Sequence, residues 1–202
     1  MVHTHRHEAH MLSVEEARER ILAAFHVLDV EEKPILEALG QVLAEDVEAP
    51  FDIPPLANSA MDGYAVRQQD VQGASPSSPR ILRVVGYVAA GQLPSQKVEP
   101  GTAIRIMTGA PIPPGADAVV PFEDTDELQR KGSGRPLDEV SVFAEVPSGA
   151  NVRPAGEDVR RGEVVVARGT TRRPSEIGVL ASLGMASVRV IRRPVVAILA
   201  TG

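Results

Sequence analysis

At 202 residues, 43% of them hydrophobic, the chain is long enough for one large domain or two modest ones and apolar enough for a real core. Its 21 basic and 27 acidic residues leave a net charge of −6, and aromatics are only 3%, so the basic, aromatic-studded face of a nucleic-acid binder is not expected. The absence of cysteine excludes disulfides, thiolate nucleophiles and Cys-ligated metals.

Seventeen Gly and seventeen Pro point to many turns and short strands rather than a helical bundle. The longest clean apolar run, Val195 to Ala200, falls far short of the roughly 20 residues a membrane helix needs. The N-terminus has no apolar signal core, so a cytoplasmic location with neither membrane nor nucleic-acid partner is expected. Residues 1–12 form a His-rich start (His3, His5, His7, His10) that reads as a floppy tail. Ser13 with Glu16 three positions on is a capping box, and Val14, Ala17, Ile21, Ala24 and Phe25 then share one helical face, predicting a helix over 13–26. Glu31 to Ile35 reads as extended, Ile35 to Gly40 as a turn and Val42 to Val47 as a strand.

The middle of the chain, 49–146, alternates short strands with Gly/Pro/Ser loops. Strands are predicted at Gly63–Arg67, Ile81–Val88, Thr102–Ile106, Ala118–Pro121 and Glu139–Phe143, with Lys131 to Gly134 as a loop. The expected result is a β-rich domain, sandwich or distorted barrel. A strand at Glu163–Ala167 follows, then a helix from Pro174 to Leu183 closed by Gly184, with Pro just inside the start and Gly just past the end. Ala186–Ile191 and Val195–Ala200 read as strands, the second a wholly apolar run of the kind parallel sheets bury. The basic pairs Arg160-Arg161, Arg172-Arg173 and Arg192-Arg193 read as solvated charges flanking apolar segments.

Three polar loops stand out. Asn58-Ser-Ala-Met-Asp-Gly63 places amide, hydroxyl and carboxylate within five positions after the stiff Pro54-Pro55. Met107 to Gly115 presents the Thr108 hydroxyl beside Gly109, which lets a ligand approach the backbone. Arg153 to Asp158 carries the adjacent carboxylates Glu157 and Asp158. Each also reads as plain turn chemistry: an Asx-type turn, a Thr-Gly turn and a solvated corner. Carboxylates and hydroxyls without His or Cys suit hard cations and phosphate-bearing ligands rather than zinc. No Walker loop or dinucleotide fingerprint is present.

Asn58-Ser-Ala-Met-Asp-Gly-Tyr-Ala, Ile106-Met-Thr-Gly-Ala-Pro-Ile-Pro and Gly156-Glu-Asp-Val precede Pro174-Ser-Glu-Ile-Gly-Val-Leu-Ala-Ser-Leu-Gly184 and Pro194-Val-Val-Ala-Ile-Leu-Ala-Thr-Gly202. These five ordered motifs, spanning about Leu12 to Gly202, resemble the molybdopterin molybdenumtransferase family, meaning MoeA and the E domain of gephyrin-like proteins. The resemblance implies the last step of molybdenum cofactor biosynthesis: metal from molybdate is inserted into adenylylated molybdopterin, with Mg²⁺ and release of AMP. It also implies an elongated homodimer of mixed α and β, β-rich chains, with the active cleft between subunits.

In this light 27–48 with 147–170 become a linker domain, 49–146 the β-rich domain and 171–202 the start of an α/β domain. The helix at 13–26 packs on that third domain in the family, so Ile21, Ala24 and Phe25 are expected to be exposed here. By motif position Asp62, Thr108 and Asp158 take the catalytic roles, the hydroxyl fixing an oxyanion and the carboxylates orienting water or a hard cation. Ser59, Gly109 and Glu157 support them as cofactor-binding residues; the metal ligands stay unassigned. The family pattern continues past this chain's last Thr-Gly, so an incomplete chain, inactive alone, is expected. The alternative is a non-catalytic binding or dimerisation module built on the same domains.

Overall fold

The computed structural model describes residues 11–200, so the His3, His5, His7, His10 cluster lies outside the described residues. In chain order the elements are α1 (Val14–Ala23), β1 (Val30–Pro34), β2 (Val47–Glu48), β3 (Asn58–Ser59), β4 (Gly63–Val66), β5 (Arg80–Val88), β6 (Thr102–Ile106) and β7 (Ala118–Pro121). Then come α2 (Glu127–Ser133), β8 (Glu139–Val142), β9 (Val152–Arg153), β10 (Val164–Val166), α3 (Pro174–Ser182) and β11 (Ser187–Ile191). The protein is thus β-rich with few and short helices, as its composition implies. It falls into two compact units, Met1–Val47 with Val166–Gly202, and Glu48–Val165.

The Glu48–Val165 unit is organised by a five-stranded sheet in the order β7-β4-β6-β5-β8. All its pairings are antiparallel except β5 with β6. Alternation along the strands sends Tyr64, Val66, Ala103, Val120, Val140 and Val142 to one face. Ala65, Ile104, Ile106 and Val119 go to the other, so both faces are core. A bulge between Val84 and Gly86 shifts the phase of β5, which puts Tyr87 opposite Arg105 and Val88 opposite Ile106. The segment after β7 returns to β8, where the Thr125–Val142 bridge and the Phe143 N–H to Asp124 O bond (2.8 Å) curl the sheet towards closure. Of the two predicted architectures, the curled single sheet is nearer the distorted barrel than the sandwich.

The central strand β4 is buried at all four residues. Gly63 is needed there for closeness rather than for a turn: a Cβ would lie 2.0 Å from the Val120 carbonyl oxygen. The Asp-Gly pair is thus the entry to the strand predicted from Gly63.

In the other unit β1 pairs antiparallel with β11, and Leu43, Leu180, Leu183 and Val190 are buried. Ser13 and Glu16 close the predicted capping box, but α1 ends at Ala23 and buries none of its residues. Ile21 is 59% and Phe25 71% exposed, and Ala24 is exposed as well, as expected. Val42 and Leu43 form only isolated bridges, so the predicted Val42–Val47 strand shrinks to β2. In the Glu48–Val165 unit, Lys131, Gly132 and Ser133 belong not to a loop but to α2, which ends on Gly134 in the left-handed conformation. The run Val195–Ala200 forms no strand, and Val195 (89%) and Ile198 (91%) lie open to solvent. An apolar run becomes a strand only where a neighbour pairs with it, and none does among the described residues. Arg172, expected to be solvated, is 1% exposed. Its Nε and Nη1 lack partners among the described residues, and burial holds its pKa below the usual guanidinium range.

Candidate functional site

The first two polar loops meet at the end of the β4–β6 ladder. The last rung pairs Gly63 with Ile106, and beyond it the chains carry Asp62 on one side and Met107-Thr108 on the other. Asp62 Oδ1 accepts two hydrogen bonds from Thr108, from the amide and from the hydroxyl, each 2.7 Å. These bonds hold the Asp62 carboxyl below the usual carboxylate range, outweighing a small opposing effect of burial, with help from the Arg105 charge. Both side chains remain accessible. Because Thr108 donates its hydroxyl proton to Asp62 here, it presents its lone pairs outward. Asp62 Oδ2 has no hydrogen-bond partner among the described residues.

The supports are backbone pairs. Gly109 N–H donates to Ser59 O (2.8 Å), Ser59 N–H to Ala110 O (3.0 Å) and Ile112 N–H to Ala57 O (3.0 Å). Gly109 has φ +80°, the left-handed conformation that favours glycine at this corner. Ser59 is fully buried. Its hydroxyl donates to Met61 O (2.5 Å) and accepts from Met61 N–H (3.2 Å), so it shapes the turn that delivers Asp62.

The third loop joins the first at its other end. β3 pairs with β9, and Arg153 Nε donates to Asn58 Oδ1 (3.0 Å). Gly156 N–H donates to Pro54 O and Asp158 N–H to Ile53 O, both at 2.9 Å. Glu157 and Asp158 are exposed, and neither side chain bonds to Asp62 or Thr108. The structure therefore brings Asp62, Thr108 and Gly109 into one cluster, with Ser59 beneath it, and sets Glu157 and Asp158 on a separate turn anchored to Ile53-Pro54.

Two arginines of this region lie outside the three polar motifs' candidate residues. Arg153 is exposed, and only its Nε is engaged by the protein among the described residues. Arg105 is 15% exposed at the side chain and contacts both loops that form the Asp62–Thr108 pair. The signal for Arg105 was its register: it alternates with Ala103 on the face shared with Tyr64, where a solvated charge is out of place. No group of three His, Cys, Asp or Glu that could hold a metal occurs among the described residues. Neither Asp62 nor Thr108 lines the two cavities of the Glu48–Val165 unit, of about 580 and 430 Å³; Arg83 and Lys97 line the first, and Tyr64, Tyr87 and Arg105 the second.

Among known proteins, the likeness covers this same stretch of chain. Residues 12–184 match the family model described as the MoeA N-terminal region, domain I and II. The chain is 42% identical over 169 residues to molybdopterin molybdenumtransferase 2 of Mycobacterium tuberculosis, covering 84% of this chain and 40% of that one. It is 38% identical over 191 residues to the molybdopterin molybdenumtransferase of Staphylococcus aureus, covering 95% and 44%. It is similar in structure to the molybdopterin biosynthesis moeA protein of Pyrococcus horikoshii OT3, with a TM-score of 0.74 at 40% identity over 82% of this chain and 42% of that one. The chain thus spans under half the length of these relatives.

Proposed function

We propose a function from one premise: the chain belongs to the MoeA family, its residues 12–184 being the MoeA N-terminal region. It supplies one wall of the site at which a molybdopterin molybdenumtransferase passes molybdenum from molybdate to adenylylated molybdopterin, with release of AMP. The other wall belongs to a partner subunit in a cytoplasmic homodimer. The observation that carries this reading is the Asp62–Thr108 pair, two 2.7 Å bonds between two of the motifs that identify the family. Its open position fits a wall that a second surface completes, so these 202 residues alone are expected to give no turnover.

The chemistry of the wall follows from its donors and acceptors. Asp62, held ionised by Thr108, offers Oδ2, and Thr108 offers hydroxyl lone pairs, so the pair receives a hydrogen-bond donor, such as water or a substrate hydroxyl, or binds a hard cation. That donor set fits Mg²⁺, which takes one or two carboxylates and completes its shell with water and substrate phosphate; Asp62 would be its ligand here. When bound, the ion supplies neutralisation of phosphate charge. Arg153, whose terminal amino groups have no partner among the described residues, suits an anionic substrate group, and Asp158 and Glu157 a water or hydroxyl at the far end of the wall.

The test is Asp62→Asn in a full-length enzyme that carries residues 12–184 of this chain. Molybdate-dependent cofactor formation is expected to fall by roughly a hundredfold or more, with the fold intact. Unchanged turnover would remove Asp62 from the reaction.

A further inference from the structure

We propose that Arg105 is a positioning residue for this site, one that ties the Gly63 carbonyl to the Ile106 carbonyl and so fixes the Asp62–Thr108 pair just beyond them. Its Nη1 donates to Gly63 O (3.1 Å) and Ile106 O (2.8 Å) and approaches Met107 Sδ (3.6 Å). These acceptors lie on the last rung of the β4–β6 ladder and one residue beyond it, where the two strands diverge into the Asp62 and Thr108 loops. A single planar group thus bridges both loops at the point where strand pairing stops.

Arg105 is itself held in place. Its Nη2 donates to Glu127 Oε1 (3.2 Å), and its Nε lies 2.7 Å from Glu127 Oε2, a charge contact not aligned as a hydrogen bond. Its guanidinium sits 5.4 Å from the Tyr64 ring and 5.7 Å from that of Phe122. Glu127 is 1% exposed and opens α2. The helix and the edge of the sheet therefore act on the site through one arginine. A lysine cannot reproduce this, because it lacks the planar fork that reaches two carbonyls and a carboxylate together. The charge of Arg105 also acts on Asp62, favouring its ionised form.

This inference rests on Asp62 and Thr108 being the functional pair, yet its test needs no turnover. In the 202-residue chain, the Thr108 amide proton shift, which reports its bond to Asp62, and Thr108 amide exchange are measured for Arg105→Met, Arg105→Lys and Glu127→Gln. Core methyl signals of Val140 and Val142 check folding. Arg105→Met is expected to move the Thr108 amide proton upfield as its bond to Asp62 loosens. It should also speed Thr108 exchange about fivefold to tenfold, the loss expected for roughly 1 kcal/mol of hydrogen bonding. Arg105→Lys should restore neither readout, because it lacks the fork that reaches both carbonyls, and Glu127→Gln should speed the exchange. A folded Arg105→Met chain with both readouts unchanged overturns the proposal. If that variant does not fold, an Arg105→Lys chain with unchanged Thr108 exchange does so. Loss of these effects would leave the function of Asp62 standing, while a dispensable Asp62 would leave the positioning by Arg105 standing.

Discussion

Replacing Glu127 by Gln keeps the size of the side chain and removes only its charge. Arg105 Nε and Nη2 and Lys131 Nζ all lie against the Glu127 carboxylate, at 2.7, 3.2 and 2.5 Å. Burial alone would raise the Glu127 pKa; hydrogen bonds from Lys131, Tyr64 and Arg105 outweigh it and hold the carboxyl below its usual range. In the Gln variant the side-chain NH₂ must face one of these donors, and Arg105 loses its counter-charge at a site only 15% exposed. Removing one partner of a buried pair costs about 3–5 kcal/mol. Lys131 is half exposed and adds little, and the two aromatic rings still face the guanidinium, so the expected loss is about 2–4 kcal/mol.

The chain has two tyrosines and no tryptophan, and Tyr64 and Tyr87 both lie in the Glu48–Val165 unit. Tyrosine fluorescence therefore follows the unfolding of that unit alone. With a urea slope of about 1–1.5 kcal/mol/M, the midpoint should drop by roughly 1.3–4 M. The double variant Arg105→Met with Glu127→Leu should recover much of the loss, since apolar replacement of both partners is often neutral. A midpoint within about 0.5 M of the parent, or a double variant less stable than Glu127→Gln, would refute the reasoning.

Gly63→Ala should destabilise the same unit by about 1–3 kcal/mol, because the new methyl meets the backbone of β7 and not a side chain that can turn aside; a parent-like urea curve would contradict it. Arg172→Met should stabilise the other unit by about 1–3 kcal/mol, since it removes a buried cation with two unpartnered N–H groups; calorimetry showing a lower transition temperature counts against this. Glu176, held to a pKa of about 2 by hydrogen bonds from the Arg173 side chain and amide, contributes to α3 only while ionised. Its folded pKa lies below its unfolded one, so the contribution is complete above the ordinary glutamate value of 4.5 and disappears as pH falls through about 2. Amide protection in α3 should decline over that window, and protection independent of pH there would rule the mechanism out.

The sheet was legible because its strands combine β-branched residues with turn residues at both ends: Thr102–Ile106 and Ala118–Pro121 are found where the pattern puts them. Helix α2 was not, because its buried residues are Glu127 and Arg130 rather than an apolar stripe, and only the acidic and basic partners supplied by the fold make their burial tolerable. Val195–Ala200 misled for the opposite reason, having a strand's composition but no neighbour among the described residues. At the site, the motifs gave Asp62 and Thr108 separately. What joins them across 46 positions is the Gly63–Ile106 register, which no local pattern encodes. Arg105 was hidden by the same fact, since its partners come from β4, α2 and its own strand.

The position of β4 between β6 and β7 has a consequence at the ribosome. Its neighbours are synthesised later, Pro121 following Gly63 by roughly 60 positions. At about 5–20 residues per second, this apolar strand waits roughly 3–12 s for its second partner. During that interval Gly-Tyr-Ala-Val is an unprotected adhesive segment. Its brevity and the flanking charges Asp62 and Arg67 are the features that discourage pairing with other nascent chains. Asp62 is thus placed as a gatekeeper charge beside this segment before Thr108 has been made.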